Sequence, residues 1–285
     1  MSVVITGCKG QLGCELMRLL PDAVGLSRQQ LDISNDETLS QILEPLEPKV
    51  IINCAAYNQV DLAETEKEAA WAGNVIGPEN LAKFSQENDN QLVHISTDFV
   101  FGQSSVNRVP FTESDVPKPA CVYGTSKLAG ENAVLAVDSN HVVIRTCGLY
   151  GSGGKTNFVK TMLRLASQGK PLRVVDDQIC SPTSVEDLAA GVLALIDSSA
   201  KGLYHFVNEG ETSWYEFAKQ VFELAKVDAD LSPISSEDFG AAAKRPEYSV
   251  LDCTKYRQQT GKNIRSIDDA LECYLVEMIP KRNRK

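Results

Sequence analysis

Tyr123 and Lys127 stand four residues apart in Tyr123-Gly124-Thr125-Ser126-Lys127. On a helix that spacing puts both side chains on one face. A free phenol titrates near ~10 and is a poor proton donor or acceptor at neutral pH. An ammonium beside it stabilises the phenolate and is expected to bring that value down. The pair is therefore suited to moving a proton onto or off a substrate oxygen. Thr97, in Ser96-Thr97-Asp98-Phe99-Val100-Phe101, offers a hydroxyl to hold the same oxygen. Spacing alone does not identify such a pair, because Tyr215 and Lys219 repeat it. There Tyr215, Ala218 and Phe222 form one apolar stripe beside Phe217 and Val221, which reads as packing with a solvated lysine. The Tyr123 pair follows a strand that carries hydroxyl residues at its carboxyl end, where open α/β sheets bind ligands. Thr97, Tyr123 and Lys127 are the expected catalytic residues.

A second constellation lies at the start of the chain. Val3-Val4-Ile5 runs into Thr6-Gly7-Cys8-Lys9-Gly10-Gln11-Leu12-Gly13, with the spacing G-x-x-G-x-x-G. Between a strand and a helix, such glycines permit a tight turn, close backbone approach to a pyrophosphate and close strand–helix packing. The helix N-terminus adds free N–H groups and a positive dipole end. Dinucleotide sites that hold a free ribose 2′-hydroxyl carry Asp or Glu after the second strand. Here that strand ends Leu26-Ser27-Arg28, and a hydroxyl with a guanidinium suits a 2′-phosphate. The reading predicts NADPH, with NADH possible, and hydride transfer from its nicotinamide. Cys8, beside Lys9 near a helix N-terminus, is expected to be a mildly reactive thiol shielded by that cofactor.

The elements that must position these residues alternate. Val3–Ile5, Ala23–Leu26, Val50–Cys54, Leu92–Ile95 and Val142–Arg145 read as short buried strands. Gln11–Leu20, Asp36–Leu46, Glu66–Phe84 and Tyr123–Val137 read as helices, the second capped by Ser34 or Asn35. This rhythm predicts an α/β fold, a doubly wound parallel Rossmann sheet with a smaller C-terminal substrate-binding lobe. Helix Val185–Ile196 and strand Leu203–Val207 read as a return to the sheet. The expected division is 1–145 plus 183–208 for the dinucleotide domain and 146–182 plus 209–285 for the lobe. The closing Lys281–Lys285 reads as a solvated tail.

Composition narrows the classes. With 28 basic and 38 acidic residues the net charge is −10, which argues against a nucleic-acid partner. No apolar run approaches the ~20 residues of a membrane span. None of the eight cysteines forms a C-x-x-C pair, so no metal site is expected, and reduced thiols point to the cytoplasm. The three histidines, His94, His141 and His205, are isolated and read as core or edge residues.

Gly7–Gly13, Asn53-Cys54-Ala55-Ala56-Tyr57, Ser96–Phe101 and Tyr123–Lys127 together resemble the sugar-nucleotide type of extended short-chain dehydrogenase/reductase, and within it the dTDP-4-dehydrorhamnose reductase family. The likeness continues through Asn157–Leu165, Asp177-Gln178, Pro182-Thr183, Gly202–His205 and Arg245-Pro246. It implies reduction of the 4-keto group of a dTDP-6-deoxy-hexulose by a monomer or homodimer. It also implies that Gly10, Gln11, Leu12, Asp32, Ile33, Ala55, Ala56 and Tyr57 line the cofactor. Thr97, Asp98, Tyr123 and Lys127 would line the reaction centre, and Asn157, Gln178 and Arg245 would hold the nucleotide sugar. One position departs: where the family has Trp after the fifth strand, this chain has Gly148, which puts the choice of sugar in question.

Two other readings fit the same residues. A 4,6-dehydratase would need Glu where Phe99 stands, so elimination lacks its base, but a sugar-nucleotide epimerase needs no such pair. A non-catalytic NADP-binding regulatory subunit, as in the β subunit of methionine adenosyltransferase, needs no acid–base set at all. The intact Thr97, Tyr123 and Lys127 favour catalysis.

Overall fold

The computed structural model describes residues 2–102 and 108–278; the basic stretch Lys281–Lys285 lies outside them. The chain opens with strand β1 (Val3–Thr6), helix α1 (Gln11–Leu19), β2 (Val24–Leu26), α2 (Asp36–Leu43) and β3 (Val50–Asn53). Helices α3 (Lys67–Trp71) and α4 (Gly77–Glu87) are joined by a π-helical stretch, Ala72–Ile76. Then come β4 (Gln91–Thr97), α5 (Val122–Val137), β5 (Val142–Thr146), α6 (Phe158–Ala166), β6 (Leu172–Val175), β7 (Ile179–Cys180), α7 (Val185–Asp197) and β8 (Gly202–His205). The remainder is β9 (Thr212–Ser213), α8 (Trp214–Ala225), β10 (Leu231–Ile234), α9 (Ser236–Phe239), α10 (Thr254–Thr260) and α11 (Ile267–Met278).

Six strands form one parallel sheet in the order β2-β1-β3-β4-β5-β8. Every residue of β3 and of β5 is buried, which is why these strands read as continuous apolar runs rather than alternating ones. Successive side chains serve opposite faces. Ile5, Ile52, Val93 and Ile144 pack with Leu12, Leu16, Leu188 and Val192 from α1 and α7. Val4, Ile51, Leu92 and Val143 pack with Leu39, Leu81, Phe84 and Val134 from α2, α4 and α5. Each fully buried leucine contributes about 1.5–3 kcal/mol, so the two faces hold the sheet between its helices. The order reverses direction at β1, whose neighbours are β2 and β3. That switch point opens a crevice beyond the strands' carboxyl ends.

A third core lies apart. Tyr150, Val159, Met162, Leu172, Phe217, Val221, Leu271 and Tyr274 bring together α6, α8, α11 and β6. Two small sheets, β10-β6 and β7-β9, flank it. This core is distinct from the two that cover the faces of the sheet. One late stretch packs differently: Leu251, Cys253, Tyr256 and Ile264, around α10, belong to the core of the sheet, with Tyr256 edge-on to Phe206 at 4.8 Å.

Candidate active site

β4 ends at Thr97, and α5 begins one residue before Tyr123. The first-turn amide of Val122 donates to the Glu64 carboxylate at 2.9 Å, and that of Gly124 to Cys121 Sγ at 3.4 Å. These contacts satisfy amides that have no intrahelical partner and fix where Tyr123 enters. Tyr123, Lys127, Thr97 and Asp98 are all buried, at 8, 2, 7 and 2% exposure, yet all four line one cavity of about 460 Å³. Phe99 meets the Tyr123 ring edge-on at 5.5 Å. Thr97 Oγ1 donates to Asp98 Oδ1 at 3.1 Å, and Ser249 Oγ donates to Asp98 Oδ2 at 2.5 Å.

Burial dominates the electrostatics here. It raises the Tyr123 phenol above its ordinary value, and the Thr97 hydroxyl only partly opposes it. The lowering expected from the Tyr–Lys spacing is thus absent, because a desolvated phenolate is the more costly form. Burial also raises the Asp98 carboxyl and lowers Lys127 to about 8, against the pull of Glu131. Lys127 Nζ donates to the Ile95 carbonyl at 2.6 Å and lies 3.4 Å from His94 Nε2. Behind it, Glu131 takes Arg145 in a fully buried pair at 2.6 Å and accepts from Ser96 Oγ at 2.5 Å.

A second cavity, of about 740 Å³, adjoins the first. Lys9, Gly10, Cys54, Ala56 and Asn58 line both. Gly7, Ser27, Arg28, Asp32, Ile33, Ala55 and Tyr57 line the larger one; Gln11, Leu12 and Gly13 line the smaller. Every residue expected to touch a dinucleotide therefore faces this cleft. Gly7 has φ +65°, and a Cβ there would fall 2.7 Å from the Ala55 nitrogen. Gly10 caps α1 without a side-chain acceptor, so the first-turn amides remain available to an anion. Arg28 is exposed at the rim; the Ser34 hydrogen bonds, with a smaller contribution from the Arg28 charge, hold the Asp32 carboxyl below its usual range. These features fit a dinucleotide phosphate at the loop and a 2′-phosphate at Ser27 and Arg28. Cys8, in contrast, packs against the sheet core near Gly25.

The three residues implied for nucleotide-sugar binding lie outside the walls of these cavities. Asn157 caps α6 and donates to Gln11 Oε1 at 3.0 Å, so it does meet the glycine loop. Gln178 is buried and donates to Ser236 Oγ at 2.8 Å. Arg245 makes a two-pronged pair with Asp61, at 3.0 and 2.8 Å. Gly148 has φ +53°, and a Cβ there would lie 2.9 Å from the Trp214 indole. Among residues not expected from the sequence, Asn74 is prominent. It exchanges hydrogen bonds with the Tyr57 backbone at 2.9 and 3.1 Å and donates to Ser126 Oγ at 3.0 Å. It sits in the π-helical stretch, a form frequent at functional sites. Asn53, quoted only as part of a motif, and Ser249 carry no role in the sequence reading, and His94 is buried as a core histidine. The position of Asn53 at the carboxyl end of a strand was the available signal.

The glycine loop at a switch point, with a buried Tyr–Lys pair at the end of β4, defines a chain of the short-chain dehydrogenase/reductase type. Comparison with known proteins narrows this. Residues 1–279 match the family described as RmlD substrate binding domain. A dTDP-4-dehydrorhamnose reductase of Aggregatibacter actinomycetemcomitans is 38% identical over 276 residues, covering 91% of this chain and 93% of the relative. The spore coat polysaccharide biosynthesis protein SpsK of Bacillus subtilis is 38% identical over 279 residues, covering 96% and 97%. The crystal structure of a Bacillus anthracis dTDP-4-dehydrorhamnose reductase in complex with NADP superposes with TM-score 0.93 at 41% identity, covering 97% of this chain and all of that one. The chain belongs to the dTDP-4-dehydrorhamnose reductase family.

Proposed function

We propose that this chain reduces the 4-keto group of a dTDP-4-keto-6-deoxy sugar with NADPH, converting dTDP-4-dehydrorhamnose to dTDP-L-rhamnose for nucleotide-sugar and cell-surface polysaccharide synthesis. The observation that carries the reading is the buried Thr97–Tyr123–Lys127 set opening into a cleft lined by the glycine loop, Ser27 and Arg28. NADPH, held by the glycine loop, Ser27 and Arg28, would supply the hydride for the carbonyl carbon. Tyr123, whose phenol burial keeps protonated at neutral pH, donates its proton to the carbonyl oxygen as negative charge develops there. Thr97 holds that oxygen in line. Lys127, fixed by its hydrogen bond to the Ile95 carbonyl, lines the same cavity as Tyr123. Asn157, Gln178 and Arg245 are proposed to hold the nucleotide diphosphate, with Arg245 exchanging Asp61 for phosphate oxygens. The enzyme is proposed to act in the cytoplasm on a small-molecule substrate, as a monomer or homodimer. No helix among the described residues is long and apolar enough to cross a membrane, and no three or more of their His, Cys, Asp and Glu side chains are grouped to hold a metal ion.

The test is to supply NADPH and dTDP-4-dehydrorhamnose, follow the nicotinamide absorbance, and identify the sugar formed. Stoichiometric NADPH consumption with a dTDP-6-deoxyhexose product supports the reading. An inverted keto sugar with no net NADPH consumption replaces it with an epimerase. NADPH binding without turnover on any dTDP-keto sugar replaces it with a regulatory binder.

A further inference from the structure

At the carboxyl end of β5, the wall of the smaller cavity is built from Thr146, Cys147, Gly148 and Leu149. Leu149 is apolar, Gly148 has no side chain and a thiol is a weak donor. Thr146 therefore supplies the strong hydrogen-bonding side chain of this wall. It is 4% exposed, and among the described residues its hydroxyl has no hydrogen-bond partner. Buried hydroxyls are nearly always paired, because an unpaired one has given up water and gained nothing in return. Ser85, Asn90 and Tyr150 also hold unpaired buried polar atoms, but none of these residues lines either cavity of the cleft.

Register explains where this hydroxyl stands. Thr146 pairs with Thr97 across β5 and β4, so the two side chains lie side by side on one face of the sheet. Thr97 uses its hydroxyl locally. It accepts from the Phe99 N–H at 3.2 Å and donates to Asp98 Oδ1 at 3.1 Å. Thr146 keeps its donor and both acceptor positions. The features that fit a dinucleotide follow the strand order β2-β1-β3-β4-β5. Ser27 and Arg28 follow β2, the glycine loop follows β1, and Thr97 ends β4 beside Tyr123. The next strand is β5. Gln11, from the helix that follows the glycine loop, donates to the Leu149 carbonyl at 3.2 Å, so the phosphate loop and the β5 wall are joined. Asn157, Gln178 and Arg245, the candidates for holding the nucleotide sugar, line neither cavity.

A nicotinamide ring carries a primary amide on the carbon next to the one that bears the hydride. That amide offers one carbonyl acceptor and two N–H donors, which complement a free hydroxyl. We infer that Thr146 binds the carboxamide of the nicotinamide and so fixes which face of the ring is turned toward the substrate carbonyl. The inference rests on the reading of the cleft as an NADPH site.

The test compares the full native chain with Thr146→Val and Thr146→Ser. Valine keeps the shape of the side chain and removes the hydroxyl. Thermal unfolding without ligand comes first. Thr146→Val is expected to melt at or above the native temperature, since no pairing within the protein is lost. Titration calorimetry then sets NADP+ against 2′-phospho-ADP-ribose, which lacks the nicotinamide ring. Thr146→Val is expected to bind NADP+ about three- to tenfold more weakly than the native chain and 2′-phospho-ADP-ribose equally well. Thr146→Ser, which keeps the hydroxyl, is expected to restore NADP+ binding. A Thr146→Val protein that melts lower or fails to fold overturns the inference, because the hydroxyl then has a structural partner. So does unchanged NADP+ affinity, or an equal loss for both ligands. A native chain that binds neither ligand would overturn the cofactor reading, and the inference with it. None of these readouts depends on turnover.

Discussion

Tyr123 with Lys127 and Tyr215 with Lys219 share one spacing and stand in opposite surroundings. Lys127 is 2% exposed, donates to the Ile95 carbonyl and shares its cavity with Thr97 and Asp98. Lys219 is exposed and pairs with Glu216, at 3.4 Å. Each tyrosine is the second residue of its helix, but Tyr123 lines the cavity at the carboxyl end of β4, whereas Tyr215 packs half-buried against the third core. The helix gives both pairs a common side. The strand end beneath α5, with its hydroxyl, its buried amide and its histidine, gives chemistry to one of them.

The largest effect expected from this difference concerns the ion pair behind each lysine. Arg145 and Glu131 are 3 and 2% exposed. Arg145→Ala leaves Glu131 buried and uncompensated, and urea unfolding should show a loss of about 3–5 kcal/mol. Glu216→Ala removes the exposed partner of Lys219 and should change stability by less than about 0.5 kcal/mol. Equal effects would show that the two environments differ less than their burial indicates.

A smaller effect follows from pH. Burial lowers His94, His141 and His205, the last to about 3. These depressed values mean that the unfolded chain binds more protons below ~6.5 than the folded one. Their contribution is present above that pH and is lost as pH falls toward the folded values. Each group can remove up to about 1.4 kcal/mol per pH unit. All three belong to the sheet region and none to the third core. Hydrogen exchange at mildly acidic pH should therefore accelerate in β4, β5 and β8 before it does in α8 and α11. The opposite order would contradict the assignment.

Much of the sheet domain was legible because its signals are local. A buried parallel strand is a short apolar run, and Gly7 and Gly13 mark a turn that tolerates little else. Asn35 caps α2 through Thr38 as the sequence suggests. What escaped depends on contacts between distant residues. Glu66–Phe84 reads as one helix, but Asn74 reaches back to Tyr57, and the chain takes a π-helical stretch to place it there. β10 pairs with β6 across nearly sixty intervening residues, and Arg245 meets Asp61 at a separation of 184 residues; no periodicity encodes either. The ionisation of Tyr123 escaped for a related reason. Spacing reports that an ammonium is near, but not how much water the fold removes around the phenol.

The most direct test of the central claim is to compare Tyr123→Phe with Tyr215→Phe in NADPH-dependent turnover of dTDP-4-dehydrorhamnose. The account predicts that Tyr123→Phe loses about a hundred- to ten-thousand-fold in kcat while folding normally, and that Tyr215→Phe keeps the native rate. Retained turnover in Tyr123→Phe, or an equal loss in both variants, would contradict it.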